Sequence, residues 1–263
     1  MSTYPEIDAV IAGESEGCIV CGDCREVMSQ MPAGQIHLVV TSPPYNLGIA
    51  YSAHDDSGRY EDYLSQMQET WQGTHRILLR GGRLAINVGE NNREATTRPT
   101  YSEFLQQCLD LGYLYRATVI WQKNSASNSC AWGSWLSPRN PHVVPRHEYI
   151  LLFSKDGYTL DVDGADITKR QFMQASNGTW TFAPETQNRH GHPCPFPVEL
   201  PTRVIRFLTA PGCIVLDPFC GSGTTCVAAK QLGRRYIGIE IDEHYCKIAR
   251  ERIANTTPPL FAM

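Results

Sequence analysis

The 263-residue sequence lacks any run of about 18 consecutive apolar residues, the length that a membrane span needs. Its N-terminus lacks the basic stretch and apolar segment of a secretory signal. The expectation is a soluble cytoplasmic protein with no membrane partner. An excess of positive charge is also missing: the formal net charge is −4. The basic surface of an obvious nucleic-acid binder is therefore not advertised. No internal repeat and no low-complexity tract interrupts the chain. Ten cysteines are present, but in a chain of this length without a secretory signal they are expected to be reduced. Cys18, Cys21 and Cys24 form a C-x-x-C-x-x-C run, yet Met28 and Ser29 stand where the ferredoxin pattern requires cysteine and proline. The histidines at 142, 147, 190 and 192 have no compact ligand spacing, so no metal is expected.

What is present begins with short apolar runs bounded by turn residues: "QIHLVV", "GGRLAINVG", "YRATVIWQK", "EYILLFSK", "CIVLD" and "RYIGIEI". They are rich in Val and Ile and mostly not alternating, as strands covered on both faces are. Amphipathic stretches separate several of them, notably Tyr60 to Leu79, Ser102 to Leu111 and the stripe Tyr245, Ile248, Ala249, Ile253. This alternation predicts an α/β fold with a mainly parallel sheet. Two regions break the pattern. One is the polar stretch from Leu47 to Arg59. The other is 124–192, rich in Ser, Asn and Gly but carrying Trp132, Trp135 and Trp180. Both read as substrate-facing insertions.

Charge is unevenly spread. Residues 1–70 hold 2 basic and 11 acidic side chains, whereas residues 115–155 hold five basic ones against Glu148 alone. A positive face on an acidic protein is thus permitted.

"LVVTSPPYN", from Leu38 to Asn46, runs an apolar strand into two prolines. Each proline removes a backbone donor and fixes φ near −65°, and each pushes its predecessor toward an extended form. The chain after Val40 is stiff, carries free carbonyls and holds Tyr45 at a set distance from the strand end. Such a turn serves either as a rigid plug or as a clamp for a flat, amine-bearing ligand.

"CIVLDPFCGSGTTCVAAKQLG" reads as strand, tight loop and helix. Asp217 ends the strand, Gly221 and Gly223 let the backbone approach a ligand, and Thr224 is the expected helix cap. Glu240 follows Asp217 by 23 residues at the end of the next strand, a spacing suited to a pair of ribose hydroxyls. A dinucleotide fingerprint would place a third glycine where Cys226 stands. The Gly-Lys-Ser/Thr ending of a triphosphate loop is also missing. What remains is a nucleoside held by its ribose without a pyrophosphate, a description that S-adenosylmethionine fits.

"TSPPYN" together with "LDPFCGSGTT" resembles the DNA amino-methyltransferases, which methylate the exocyclic amine of cytosine or adenine. The catalytic motif precedes the cofactor motif, as in the permuted β group. The resemblance continues through "GDCREVMSQMP", "RHEYILLFSK", "HPCPFPVELPTRVIRFLTAPG" and "RRYIGIEIDEHYCKIARERI". It implies a doubly wound, Rossmann-like methyltransferase fold in a single catalytic domain, 1–263, and a catalytic role for Ser42, Pro43, Pro44 and Tyr45. The Ser42 hydroxyl and the Pro43 carbonyl are expected to accept the two N–H bonds of the amine, and the ring face of Tyr45, rather than its hydroxyl, to carry a stacked base. The methionine part of the cofactor is assigned to Asp217, Phe219, Gly221, Ser222, Gly223 and Thr224, with Phe196 near its end. Glu240 would hold the ribose, Ile241 would pack on the adenine, and Asp23 would accept from the adenine amine.

Members with Ser before Pro-Pro often act on cytosine N4 and those with Asp on adenine N6. Ser42 therefore favours N4-cytosine, with N6-adenine as the alternative and a non-catalytic nucleic-acid-binding protein as the rival from another class. The target base must be flipped out of duplex DNA, with the loop from Leu47 to Arg59 closing over it. Arg139, Arg146, Lys169, Arg170 and Arg189, all within the candidate target-recognition region 124–192, are expected to contact DNA. The recognition region is short for enclosing DNA by itself, which makes a homodimer an expected partner, and a cognate restriction endonuclease is the other.

Overall fold

Ile36, Leu38, Val39 and Val40 are all at most 1% exposed, because β2 (Ile36–Thr41) runs through the middle of an eight-stranded sheet covered on both faces. The computed structural model describes residues 3–46, 58–93, 96–124, 133–143, 145–185 and 196–257. Ahead of β2 come α1 (Pro5–Ala12), β1 (Gly17–Cys21) and α2 (Cys24–Gln30). After it follow α3 (Tyr60–Ile77), β3 (Leu78–Val88), the small strands β4 (Asn91–Arg93) and β5 (Thr96–Arg98), α4 (Thr100–Asp110) and β6 (Leu114–Lys123). The second half supplies β7 (His147–Ser154), α5 (Lys169–Ala175), β8 (Thr179–Phe182), α6 (Glu199–Leu208), β9 (Ile214–Asp217), α7 (Thr224–Gln231), β10 (Arg235–Glu240) and α8 (Glu243–Ala254).

The sheet order is β1-β10-β9-β2-β3-β7-β6-β8, and only β7 runs against its neighbours. The doubly wound expectation holds. Along β2, Val39 faces one core while Leu38 and Val40 face the other, the period-two alternation of a strand. Val39 belongs to the core that also holds Ile7, Val27, Trp71 and Phe104, from α1 to α4. The other face meets Ala175, Val204, Ala228 and Ala249, from α5 to α8. Trp71, fully buried and edge-on to Phe104 at 5.2 Å, anchors the first layer; truncating such a side chain costs about 3–5 kcal/mol.

All six apolar runs lie in strands. The region 124–192 is not simply an insertion. It contributes β7 and also β8, whose Trp180 is 1% exposed and whose backbone pairs parallel with β6. Four residues with alternating burial among polar neighbours leave no apolar run to see. The stretch before α5 is tied to the fold by Arg234, a buried guanidinium that binds both carboxylate oxygens of Asp166.

Candidate active site

The chain reverses its direction of winding between β9 and β2. From β9 it crosses through α7 to β10 on one side; from β2 it crosses through α3 to β3 on the other. Ligands of such sheets sit in the crevice outside the carboxyl ends of the strands at that point. Asp217, Glu240, Thr41 and Asn87 stand at or one residue before those ends. Because β7 is antiparallel, its first residues, His147 and Glu148, lie on the same rim.

The half of the rim around β9 and β10 is organised by two acids, the buried Asp217 and the partly buried Glu240. Asp217 is 1% exposed and accepts from the Thr41 hydroxyl (2.7 Å), the Thr225 hydroxyl (2.6 Å) and the Phe219 N–H (3.1 Å). Burial pushes its carboxyl up to about 6 against the opposing pull of those donors. The contacts tie β2, β9 and α7 together and fix the start of the loop. Glu240 accepts from the Gly221 N–H (2.8 Å) and the Asp242 N–H (3.0 Å), and burial raises its pKa also. Gly221 and Gly223 have φ of 50° and 83°, a region that other residues enter at a cost. A Cβ on Gly223 would come within 2.9 Å of the Ala249 Cβ. The loop therefore needs glycine for its conformation and for its packing on α8. Ser222 is buried and accepts from Arg252 at 2.7 Å. Ile241, beyond the end of β10, leaves 45% of its surface open.

The expected cap of α7 is corrected. Gly223 in the left-handed conformation is the N-cap, and Thr224 is the first helical residue, its hydroxyl meeting Arg252 at 3.3 Å. Asp23 caps α2 through the Arg25 N–H at 2.8 Å, and the Arg25 guanidinium holds its pKa down. Phe219 and Phe196 are partly buried, packed on opposite cores.

The other half is built from scattered chain. Tyr63 donates to the Pro44 carbonyl at 2.8 Å, which pins the proline turn to α3. The Tyr45 hydroxyl lies 3.0 Å from Ser42 Oγ and 3.4 Å from Glu148 Oε2, and accepts from Asn87 Nδ2 at 3.1 Å. Asn87 Nδ2 also donates to Glu148 Oε2 at 2.6 Å and lies 3.4 Å from Ser42 Oγ. Lys123, the last residue of β6, forms an ion pair with Glu148. Burial first, and the Glu148 carboxylate second, push the Tyr45 phenol well up. Besides the stacking expected of its ring, Tyr45 places its hydroxyl at a node of this network. Asn87, Glu148 and Lys123 were not anticipated. The available signals were a polar Asn near the end of the apolar "RLAINV" and a lone acid opening the apolar "EYILLF".

Arg139 and Arg146 are exposed, and Lys169 and Arg170 lie on the exposed first turn of α5. Arg170 faces a groove shared with Arg203 and Arg206 of α6. Arg189, and the closing loop from Leu47 apart from Gly58 and Arg59, lie outside the described residues. The C-x-x-C-x-x-C run is dispersed: Cys24 is buried near Thr70, while Cys21 lies beside Glu243 and Cys246 of α8. Among the described residues no helix is long and apolar enough to cross a membrane.

The rim thus presents an acid-and-glycine loop and a proline turn with its hydrogen-bond network side by side. The profile of the DNA methylase family that modifies N4 or N6 amines matches residues 36–251, and the chain belongs to that family. The Type II methyltransferase M.MjaVI of Methanocaldococcus jannaschii is 36% identical over 158 residues, 60% of this chain and 81% of that protein. A putative DNA modification methylase of Thermus thermophilus, solved with S-adenosyl-L-methionine, is 31% identical with a TM-score of 0.75, covering 93% of this chain and 96% of that one. The PvuII DNA methyltransferase, cytosine-N4-specific, shares the fold at a TM-score of 0.73 and 21% identity, covering 92% of this chain and 91% of that one. The protein is a DNA methyltransferase whose cofactor is S-adenosylmethionine. Its own residues fit that cofactor: a ribose-sized acid at a strand end, a glycine loop without phosphate-binding residues, and an open apolar side chain next to both.

Proposed function

We propose that the protein transfers a methyl group to the exocyclic N4 amine of a cytosine flipped out of duplex DNA. The observation that carries this reading is Ser42, a neutral hydroxyl directly before Pro43 and Pro44, in hydrogen-bond contact with Tyr45 at the end of β2. An aromatic amine is a poor nucleophile because its lone pair is delocalised into the ring. Acceptance of one N–H by the Ser42 hydroxyl and the other by the Pro43 carbonyl favours a tetrahedral nitrogen with its lone pair directed out of the ring plane. Tyr45 stacks on the base and holds that geometry. S-adenosylmethionine supplies an electrophilic methyl group on a sulfonium. Positioning rather than a strong base then supplies the rate.

Glu240 holds the ribose and Ile241 covers the adenine, while Asp217 keeps the glycine loop in register with β2 through Thr41. Asp23 accepts from the adenine amine with the lone pairs that Arg25 leaves open. Phe219, Ser222, Thr224 and Phe196 surround the methionine part. Arg139, Arg146, Lys169, Arg170 and Arg189 contact the DNA from region 124–192. A second copy of the chain and a cognate endonuclease are the protein partners, the latter suggested by the Type II name of a curated relative.

The test is to incubate unmethylated bacterial genomic DNA with the protein and labelled cofactor, then digest to nucleosides. Label in N4-methylcytosine supports the reading. Label in N6-methyladenine overturns the base assignment and the argument from Ser42, and leaves the methyltransferase standing.

A further inference from the structure

We infer that Glu148 is a positioning residue that sets the direction of the hydrogen bonds in the catalytic turn, so that Ser42 presents an acceptor to the target amine. Ser42 can accept an N–H from the amine only if its own proton is directed elsewhere. The nearest oxygen is the Tyr45 hydroxyl at 3.0 Å. Tyr45 can receive that proton only if its own hydroxyl hydrogen is directed onward, and its acceptors are Glu148 Oε2 at 3.4 Å and the Asn87 carbonyl at 3.3 Å. A carboxylate offers no proton, so it can only terminate such a chain. The direction that these partners give is amine N–H to Ser42, Ser42 to Tyr45, Tyr45 to Glu148 or to the backbone.

Asn87 accommodates the same sense. Its amide nitrogen lies 2.6 Å from Glu148 Oε2, which excludes the flipped orientation because two oxygens would then face each other. With one N–H committed to Glu148, the other is left for Tyr45 Oη at 3.1 Å, the nearer of the two hydroxyls (Ser42 Oγ lies at 3.4 Å), so Tyr45 Oη acts as an acceptor. The Lys123 ammonium balances the Glu148 charge from the end of β6, so the acid does not stand alone on a rim that must receive DNA. Burial of the phenol disfavours its ionisation and keeps Tyr45 a donor as well as an acceptor.

This inference rests on the amine-methylating reading of the turn, not on the choice of base. Glu148→Gln is nearly isosteric but brings a donor to the position where only an acceptor stood, so the chain can run backwards. The expected result on unmethylated genomic DNA is a single-turnover rate at least tenfold lower at saturating DNA and cofactor. DNA affinity, cofactor affinity by calorimetry and the melting temperature should stay close to wild type, and the nucleoside formed should be unchanged. In a Tyr45→Phe background the chain is already cut, so adding Glu148→Gln should slow the reaction by less than twofold more. Where Glu148→Gln alone does not fold, Lys123→Met with Glu148→Gln, which removes both charges together, takes its place. A wild-type rate in the Glu148 variant, or the same fold-loss in both backgrounds, overturns the inference. A change in which base carries the methyl group would instead revise the proposed function.

Discussion

In the half of the rim formed by β9 and β10, the ordered loop and its acids come from two short stretches, 217–225 and 240–242. The half formed by β2, β3, β7 and β6 draws on Ser42, Tyr45, Asn87, Lys123 and Glu148, single residues brought together from four strand ends and a turn. The first half is a local solution: a loop, its glycines and the acid at the next strand end. The second depends on the sheet order, because Glu148 reaches the turn only through the reversed direction of β7 beside β3. The two halves are joined by one contact in particular, the Thr41 hydroxyl on the Asp217 carboxylate at 2.7 Å.

If the halves divide binding from chemistry, substitutions in each should separate cleanly. The largest effect is expected from Ser42→Ala and Tyr45→Ala in single-turnover methylation. Removal of one preorganised polar contact costs about 100-fold or more in comparable sites, and loss of base stacking costs about 1–3 kcal/mol. Cofactor affinity, measured by calorimetry on the same proteins, should hardly move. Parallel losses of rate, cofactor affinity and melting temperature would instead mark the turn as a structural plug.

Glu240→Ala should do the opposite. Charged hydrogen bonds contribute about 1.5–3 kcal/mol, so cofactor affinity should fall by about one to two orders of magnitude. Because Glu240 also accepts from Gly221 and Asp242, the melting temperature should fall as well. Unchanged cofactor affinity in the folded variant would remove Glu240 from the site.

The DNA face is tested by salt. Neutralising Arg139, Arg146, Lys169 and Arg170 should reduce the log–log slope of DNA affinity against salt by about 0.9 for each phosphate that a side chain no longer neutralises. An unchanged slope would place that face elsewhere.

The smallest effect concerns the joint between the halves. Asp217 has its pKa raised by burial from 3.8 to about 6. A raised acid is favoured by folding in its protonated form, so this stability is fully present below pH 3.8 and is lost as pH rises through about 6. The amount is at most about 3 kcal/mol at about 1.4 kcal/mol per pKa unit. Denaturant midpoints of wild type and Asp217→Asn should therefore diverge across that window and run parallel above it. Parallel curves throughout would show that folding does not raise the Asp217 pKa.

The contrast between the halves also explains which parts could be read from the chain alone. Periodicity and turn residues sufficed for β2, β3, β7, β9 and β10, whose apolar runs are largely buried, and for β6, which buries Val119 and Trp121 and leaves Tyr115 and Ile120 exposed. They did not reveal β8, because the exposed Thr179 and Thr181 interrupt its pattern and only Trp180 is deeply buried. The glycine loop was readable because φ above zero demands specific residues at adjacent positions. Which residue capped its helix was not, since Gly223 and Thr224 are both competent and geometry chose the glycine. The role of the Tyr45 hydroxyl was hidden for the reason that hid Glu148. Its partners stand 42 and 103 residues away, and no spacing in the sequence announces them.

The most direct test of the division between the halves is Tyr45→Phe, which keeps the ring and deletes only the hydroxyl. Cofactor affinity and single-turnover methylation should be measured on the same preparation. The expected result is a rate at least tenfold below wild type with unchanged cofactor affinity, since the Ser42 proton and the Asn87 amide lose a common partner at about 1–3 kcal/mol. A rate equal to wild type would contradict the distributed network and return Tyr45 to a stacking surface alone.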